Sequence, residues 1–559
     1  LSRDHAETTH ALTLQNVADS KEPILADFDQ DETIRSLMFP GEDEPRLVTP
    51  DDIAYTIGTG KYVQRYVYKT TDNQLLVLPI EWNTQDEQWQ PFSDGEEQWP
   101  DFVQNCADCH TVGLEVETGE WVDDGVQCEA CHGAGGAHVE IANNVPRRAS
   151  DEDLIALRAN IVLSPDPQIC GQCHNRGVSE DGHSFPVEYE VNTELLDTYT
   201  LYPPDDSEHW WSSEHAKQPN MQFNEWYHSA HASALETLRS STLAEDTCLQ
   251  CHSVDYRWTE QRLALFEEGI LDGPPPDPVT VETAQYGVTC SSCHNPHREA
   301  EAELPAYLVE EPYTLCVSCH VSAPQEQIQP HHPVQEMFEG VEFVDGVEGI
   351  TSTHHAAEGG PDCLTCHMVS LSTDNGIRNS HMLTPVLPTE AETGQPDSCS
   401  GCHENLAVVD LQFLIDDTQD AVRERLTTAW ARLASVDPAI LPDEYEQVSR
   451  ALTFVQNDGS LGVHNYDYAN ALLEYSERTL AKLSVPGASI NPTEAPAPTE
   501  IPEVDWRTVA VSSEPETEEE GFRPITMIIL GFTGVIVFGS AIVIFRWPKR
   551  KVKETSDNE

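Results

Sequence analysis

A mainly α-helical fold with much loop, packed around covalently held groups, is predicted by three observations. The 559-residue chain has 16 cysteines, and all of them fall in eight C-x-x-C-H motifs. After the last motif, apolar residues recur at helical spacing in three successive stretches. Near the end, residues 525–545 form a 21-residue run without a charge. A small N-terminal β-hairpin region and one transmembrane helix complete the predicted fold.

The N-terminal region spans residues 1–100. Residues 62–69 and 74–82 alternate and are rich in β-formers, with Thr71-Asp72-Asn73 between them, which reads as a hairpin.

The motif region spans 101–403. Its cysteine pairs are Cys106 and Cys109, Cys128 and Cys131, Cys170 and Cys173, Cys248 and Cys251, Cys290 and Cys293, Cys316 and Cys319, Cys363 and Cys366, and Cys399 and Cys402. Each pair is followed at once by a histidine: His110, His132, His174, His252, His294, His320, His367 and His403. Two thiols at this spacing reach the two vinyl groups of one haem, and the next residue lies under the iron as proximal ligand. Zinc sites share the C-x-x-C pair but do not require that histidine. Disulfides within such pairs would close only tiny loops and staple little. The sequence therefore predicts eight covalently attached haem c groups, stacked so that porphyrin supplies much of the core.

Of 23 histidines, eight are spent as proximal ligands and fifteen remain, enough to close the far side of every iron. An iron held by two imidazoles exchanges electrons without offering a site to substrate.

Residues 404–485 read as helical. A stripe of Leu411, Leu414, Ile415, Val422, Leu426, Trp430 and Leu433 is followed by helices over about 443–455 and 466–483. Residues 486–523 are rich in Pro, Glu and Thr and read as a disordered linker. The uncharged run at 525–545 is long enough for a helix to cross a hydrocarbon layer of roughly 30 Å. Acidic residues precede it and a basic tail, 546–559, follows, which predicts a cytoplasmic C-terminus. The expected location is thus the cytoplasmic membrane, single-pass, with the haem domain on the periplasmic or cell-surface side. The start at Leu1 suggests that an export signal was removed or not supplied.

Acidic residues outnumber basic ones by 97 to 30, for a net charge of −67. That excludes nucleic acid as a partner. It favours either a cationic docking partner or simple solubility in a salty habitat.

Residues 316–483 resemble the superfamily of pentahaem nitrite reductases, octahaem nitrite and tetrathionate reductases, and hydroxylamine oxidoreductases. The likeness lies in His332-Pro333, Thr353-His354-His355, Cys363 to Met368, Asn379-Ser380-His381 and Gly462-Val463-His464-Asn465. Upstream, Cys128 to His138, Trp226 to Ala232 and Cys290 to His297 resemble tetrahaem and related electron-transfer cytochromes. The resemblance implies distal ligands among His138, His228, His231, His297, His332, His355, His381 and His464. It also sets His332 where the superfamily has a catalytic histidine. The chain departs from the nitrite reductases in that no motif ends in lysine and no tyrosine closely follows Cys316 to His320.

The function these readings predict is electron transfer in respiration. A membrane quinol-oxidising complex or a small redox protein would be the donor, and a soluble or extracellular species the acceptor. Membrane contact would be through the C-terminal helix, and self-association is left open. The alternative is an oxidoreductase acting on nitrite, hydroxylamine, hydrazine or a sulfur oxyanion. In it His332, with Arg378 or a nearby tyrosine, would line the pocket.

Overall fold

The computed structural model describes residues 5–483, apart from 22, 93–98, 147, 188, 272, 298–303, 323–329, 357–359, 374–375 and 440. The N-terminal region is a six-stranded antiparallel sheet, larger than a hairpin. Its strands are β1 (Leu14–Asn16), β2 (Ile53–Ile57), β3 (Val63–Lys69), β4 (Leu75–Val77), β5 (Ile80–Asn83) and β6 (Gln88–Pro91). Strand β3 pairs with β2 along one edge and with both β4 and β5 along the other. The stretch 74–82, read as one strand, divides at Pro79, which has no N–H to give the ladder.

The two faces of this sheet bury different things. Tyr66, Leu78, Ile80, Trp82 and Trp89 pack with Phe39 and Val48 on one side. Leu14, Ile57, Val67 and Val77 pack on the other against Phe102 and Ala107, which bracket Cys106. A bulge between Ile53 and Tyr55 lets β2 contribute Ile53 to the first face and Ile57 to the second. The sheet is thus a wall for the first motif.

The motifs themselves sit on short helical turns, such as Ala107–His110, Cys128–His132, Leu249–His252 and Cys363–His367. The amide N–H of the histidine donates to the carbonyl of the first cysteine in His174, His294, His320 and His403, at 2.9 to 3.1 Å. One turn places both sulfurs on the same face.

Three helices follow: α1 (Val408–Leu433), α2 (Pro442–Asn457) and α3 (Tyr466–Leu483). Their buried stripes, including Val422, Leu426, Val448, Leu452, Leu472 and Leu473, form one core with Met337, Val344 and Val347. Asn465 fixes the start of α3. Its side-chain amide donates to the carbonyls of Met337 (2.8 Å) and Ile350 (2.5 Å) and accepts from the Tyr468 N–H (3.1 Å).

The fold class needs correcting in two respects. Sheet is a substantial part of the architecture; apart from the seven-residue β3, its strands have two to five residues and carry too little alternation to be read singly. The expected transmembrane helix and single-pass membrane location are withdrawn. Among the described residues no helix is long and apolar enough to cross a membrane, and 525–545 lies outside them, as do the 486–523 linker and the 546–559 tail.

Candidate haem-binding site

The cysteines of different motifs lie side by side. Their thiols stand where thioether sulfurs would be once porphyrin is attached. Cys109 of the first motif is hydrogen-bonded to Cys173 of the third. Cys170 is bonded in the same way to Cys290, Cys251 to Cys319, and Cys316 to Cys363. Three further pairs are close enough to perturb one another's charge: Cys131 with Cys170, Cys293 with Cys319, and Cys366 with Cys402. These neighbour relations join all eight motifs into one branched chain. Its trunk runs first, third, fifth, sixth, seventh, eighth; the second motif branches from the third and the fourth from the sixth.

The imidazoles supply the test of whether haem fits. Two imidazoles on opposite sides of one metal, each with a bond of about 2 Å, have ring centroids roughly 6 Å apart. Seven motif histidines have such a partner. His174 faces His10 at 6.2 Å and His132 faces His297 at 5.9 Å. His320 faces His231 at 6.0 Å, and His294 faces His381 at 6.2 Å. His367 faces His464 at 6.1 Å, and His403 faces His354 at 6.3 Å. His252 faces two rings, His331 at 6.2 Å and His332 at 6.4 Å. His332 is also 6.2 Å from His320. The residues present fit the group.

A ligand imidazole must be neutral with its metal-facing nitrogen unprotonated. Backbone carbonyls set that tautomer by accepting from Nδ1. The acceptors are Val162 for His132 (2.6 Å), Ala234 for His252 (3.1 Å), Ala306 for His294 (2.8 Å), Leu383 for His367 (3.2 Å) and Asn379 for His381 (3.0 Å). Burial, aided by neighbouring imidazoles, pulls the pKa of His10, His320 and His381 down to about 4 and that of His332 to about 3. Glu225, itself buried, accepts from the His381 N–H (2.6 Å) and the Ser380 hydroxyl (2.8 Å) and so positions that loop.

His464 differs, since its Nδ1 meets a carboxylate, Asp458 Oδ1 at 2.7 Å. Burial opposes the charged ring, yet Asp458 outweighs it and raises the His464 pKa. A carboxylate partner makes a ligand imidazole more basic and favours the higher oxidation state of its metal. Asp458→Asn is therefore expected to raise the reduction potential of one haem, that of the seventh motif, in a spectroelectrochemical titration, leaving the others unmoved.

Three of the expected distal residues, His138, His228 and His355, are not seen to face a motif histidine. His138 donates to the Leu157 carbonyl (2.9 Å), and His228 lies edge-on to Trp210. His355 stacks on Tyr313, while its neighbour His354 turns toward His403. His10, His331 and His354 escape the sequence reading of distal positions. His10 precedes every motif, and no local pattern singles it out. Arg378 lines a pocket with Trp211, His215 and Glu225 that does not include His332. Tyr468 is buried and donates to the Val341 carbonyl (2.7 Å), a packing role.

Eight C-x-x-C-H motifs set beside one another, seven of them with a facing imidazole, define a multihaem c-type cytochrome, with haem bound covalently. A family model described as doubled CXXCH motif matches residues 282–325, and one described as cytochrome c554 and c-prime matches 81–133. The chain is similar to the outer cell wall cytochrome OcwA, at 28% identity and a TM-score of 0.70, over 86% of this chain and 96% of that one. An undecahaem cytochrome from the S-layer of Carboxydothermus ferrireducens shares the fold, at 20% identity and a TM-score of 0.53, over 86% of this chain and 67% of that one. The multihaem cytochrome MtrA of Shewanella baltica (strain OS185) is 23% identical over 286 residues, 50% of this chain and 67% of the relative. These likenesses carry the multihaem electron-transfer class; they do not extend to the narrower nitrite reductase and hydroxylamine oxidoreductase superfamily.

Proposed function

We propose that the chain is an octahaem electron conduit of the cell envelope. Each C-x-x-C pair would hold one haem, and the histidine after it would be the proximal ligand. Distal ligands would be His297 for the second motif, His10 for the third, and His331 or His332 for the fourth. His381, His231, His464 and His354 would serve the fifth to eighth. When bound, each haem supplies a one-electron ferric–ferrous couple.

The observation that carries the reading is the succession of neighbouring cysteine pairs from Cys109 to Cys402, some hydrogen-bonded and the others near enough to act on one another's charge. Polypeptide that brings every motif against another keeps redox centres within short reach. Facing imidazoles hold the iron the same way in both oxidation states, so little has to move when an electron passes. The names of the relatives, an outer cell wall and an S-layer cytochrome, support a place outside the cytoplasm. The donor would be a small redox protein or a quinol-oxidising complex, and the acceptor a soluble or extracellular species. The net charge of −67 favours a donor with a basic face and makes docking salt-sensitive.

Stopped-flow oxidation tests the conduit. Fully reduced protein mixed with ferric citrate should return all its haem to the ferric form in one connected process. A fraction of haem left reduced would mean isolated centres and would overturn the reading.

A further inference from the structure

We infer that His110 is the sole protein imidazole on the iron of the first motif, and that the opposite face takes a small ligand from solution. The inference rests on the reading that every motif carries a haem. All 23 histidines are described, and seven motif histidines stand about 6 Å from a facing ring, whereas among the described residues no imidazole faces His110. None of the seven histidines left over is seen to face a motif histidine. His5 meets the Val126 carbonyl and His138 that of Leu157. His209 stacks on Tyr202 and meets Asp206. His215 is held at both ring nitrogens, by the Ser213 and Thr384 carbonyls. His183 stacks on Phe185, His228 meets Trp210, and His355 lies against Tyr313 and Phe338.

The surroundings of His110 are built rather than loose. Its Nδ1 meets Thr13 Oγ1 at 2.8 Å and the Thr13 carbonyl at 3.3 Å, which ties the ring to the start of the sheet. The motif is backed by Phe102, Ala107 and the Leu14, Ile57 and Val67 face of the sheet. Arg65, which donates to Glu81 and lies over Phe92, is near enough to act on His110. Cyanide and azide are suitable probes.

The test uses the full chain as purified. Intact mass first establishes that eight porphyrins are attached; fewer would mean that the underlying reading fails, independently of this inference. Ferric paramagnetic resonance should then show one high-spin centre among the eight haems, and one equivalent of cyanide per chain should convert it to low-spin. Eight low-spin haems with no cyanide uptake would overturn the inference. Thr13→Val locates the site without removing a ligand. The iron–histidine stretch in the resonance Raman spectrum of the ferrous protein belongs to a five-coordinate haem and responds to the hydrogen bond at Nδ1. It should shift in this variant if His110 is that ligand. An unshifted stretch would place the one-sided iron at another motif and overturn the assignment to His110.

Discussion

Replacing His331 and His332 together by alanine is expected to turn one low-spin haem high-spin, whereas replacing either alone leaves all seven facing-imidazole haems low-spin. The reason is redundancy. The two rings are 4.1 Å apart, and both stand within 6.4 Å of His252. The ligand atoms of His252, His331 and His332 all lie within 4.8 Å of one another, so one iron has two imidazoles in reach on the same side. His331 is the nearer, and His332 carries a φ of 51°, a left-handed conformation that costs a non-glycine residue about 1 kcal/mol or more. His331→Ala would transfer the bond to His332, and His332→Ala would leave His331 in place. Ferric resonance spectra of the three variants decide the matter. A high-spin signal from His332→Ala alone would make His332 the obligatory ligand.

The second large effect is expected from removing the sixth haem by Cys316→Ala with Cys319→Ala. This motif is the hub of the sulfur contacts. Cys319 meets Cys251 of the fourth motif and lies near Cys293 of the fifth, and Cys316 meets Cys363 of the seventh. Without it the first, second, third and fifth motifs form one group, the fourth stands alone, and the seventh and eighth form another. Oxidation by ferric citrate should then split into separate phases. The control is Cys128→Ala with Cys131→Ala, which deletes the second motif, a branch tip beside Cys170. It should lose one porphyrin and keep a single connected process. A single process in both variants would show that the motif contacts do not set the path.

What the sequence makes legible and what it hides divide along local and long-range lines. The attachment motifs are legible because their geometry is a single helical turn, as the His320 N–H to Cys316 bond shows. The stripe from Leu411 to Leu433 is legible because one continuous helix, α1, buries it. The facing imidazoles are not local. His10 meets His174 across 164 positions of chain, a pairing made by tertiary packing alone. His354 and His355 are neighbours on one short helix, Thr353–Ala356, and successive helical residues point about 100° apart, so only one of them can face His403. The sheet escapes because β1 has three residues and β4 and β5 are separated by a proline. The membrane-spanning reading rests on 525–545, outside the described residues, and nothing among the described residues supports it.

Intact mass spectrometry of the purified chain under denaturing conditions counts the porphyrins on the eight cysteine pairs. The mass should exceed that of the polypeptide by eight haem increments, with no titratable thiol among the 16 cysteines. Fewer increments, or thiols free to react, would contradict attachment at every pair.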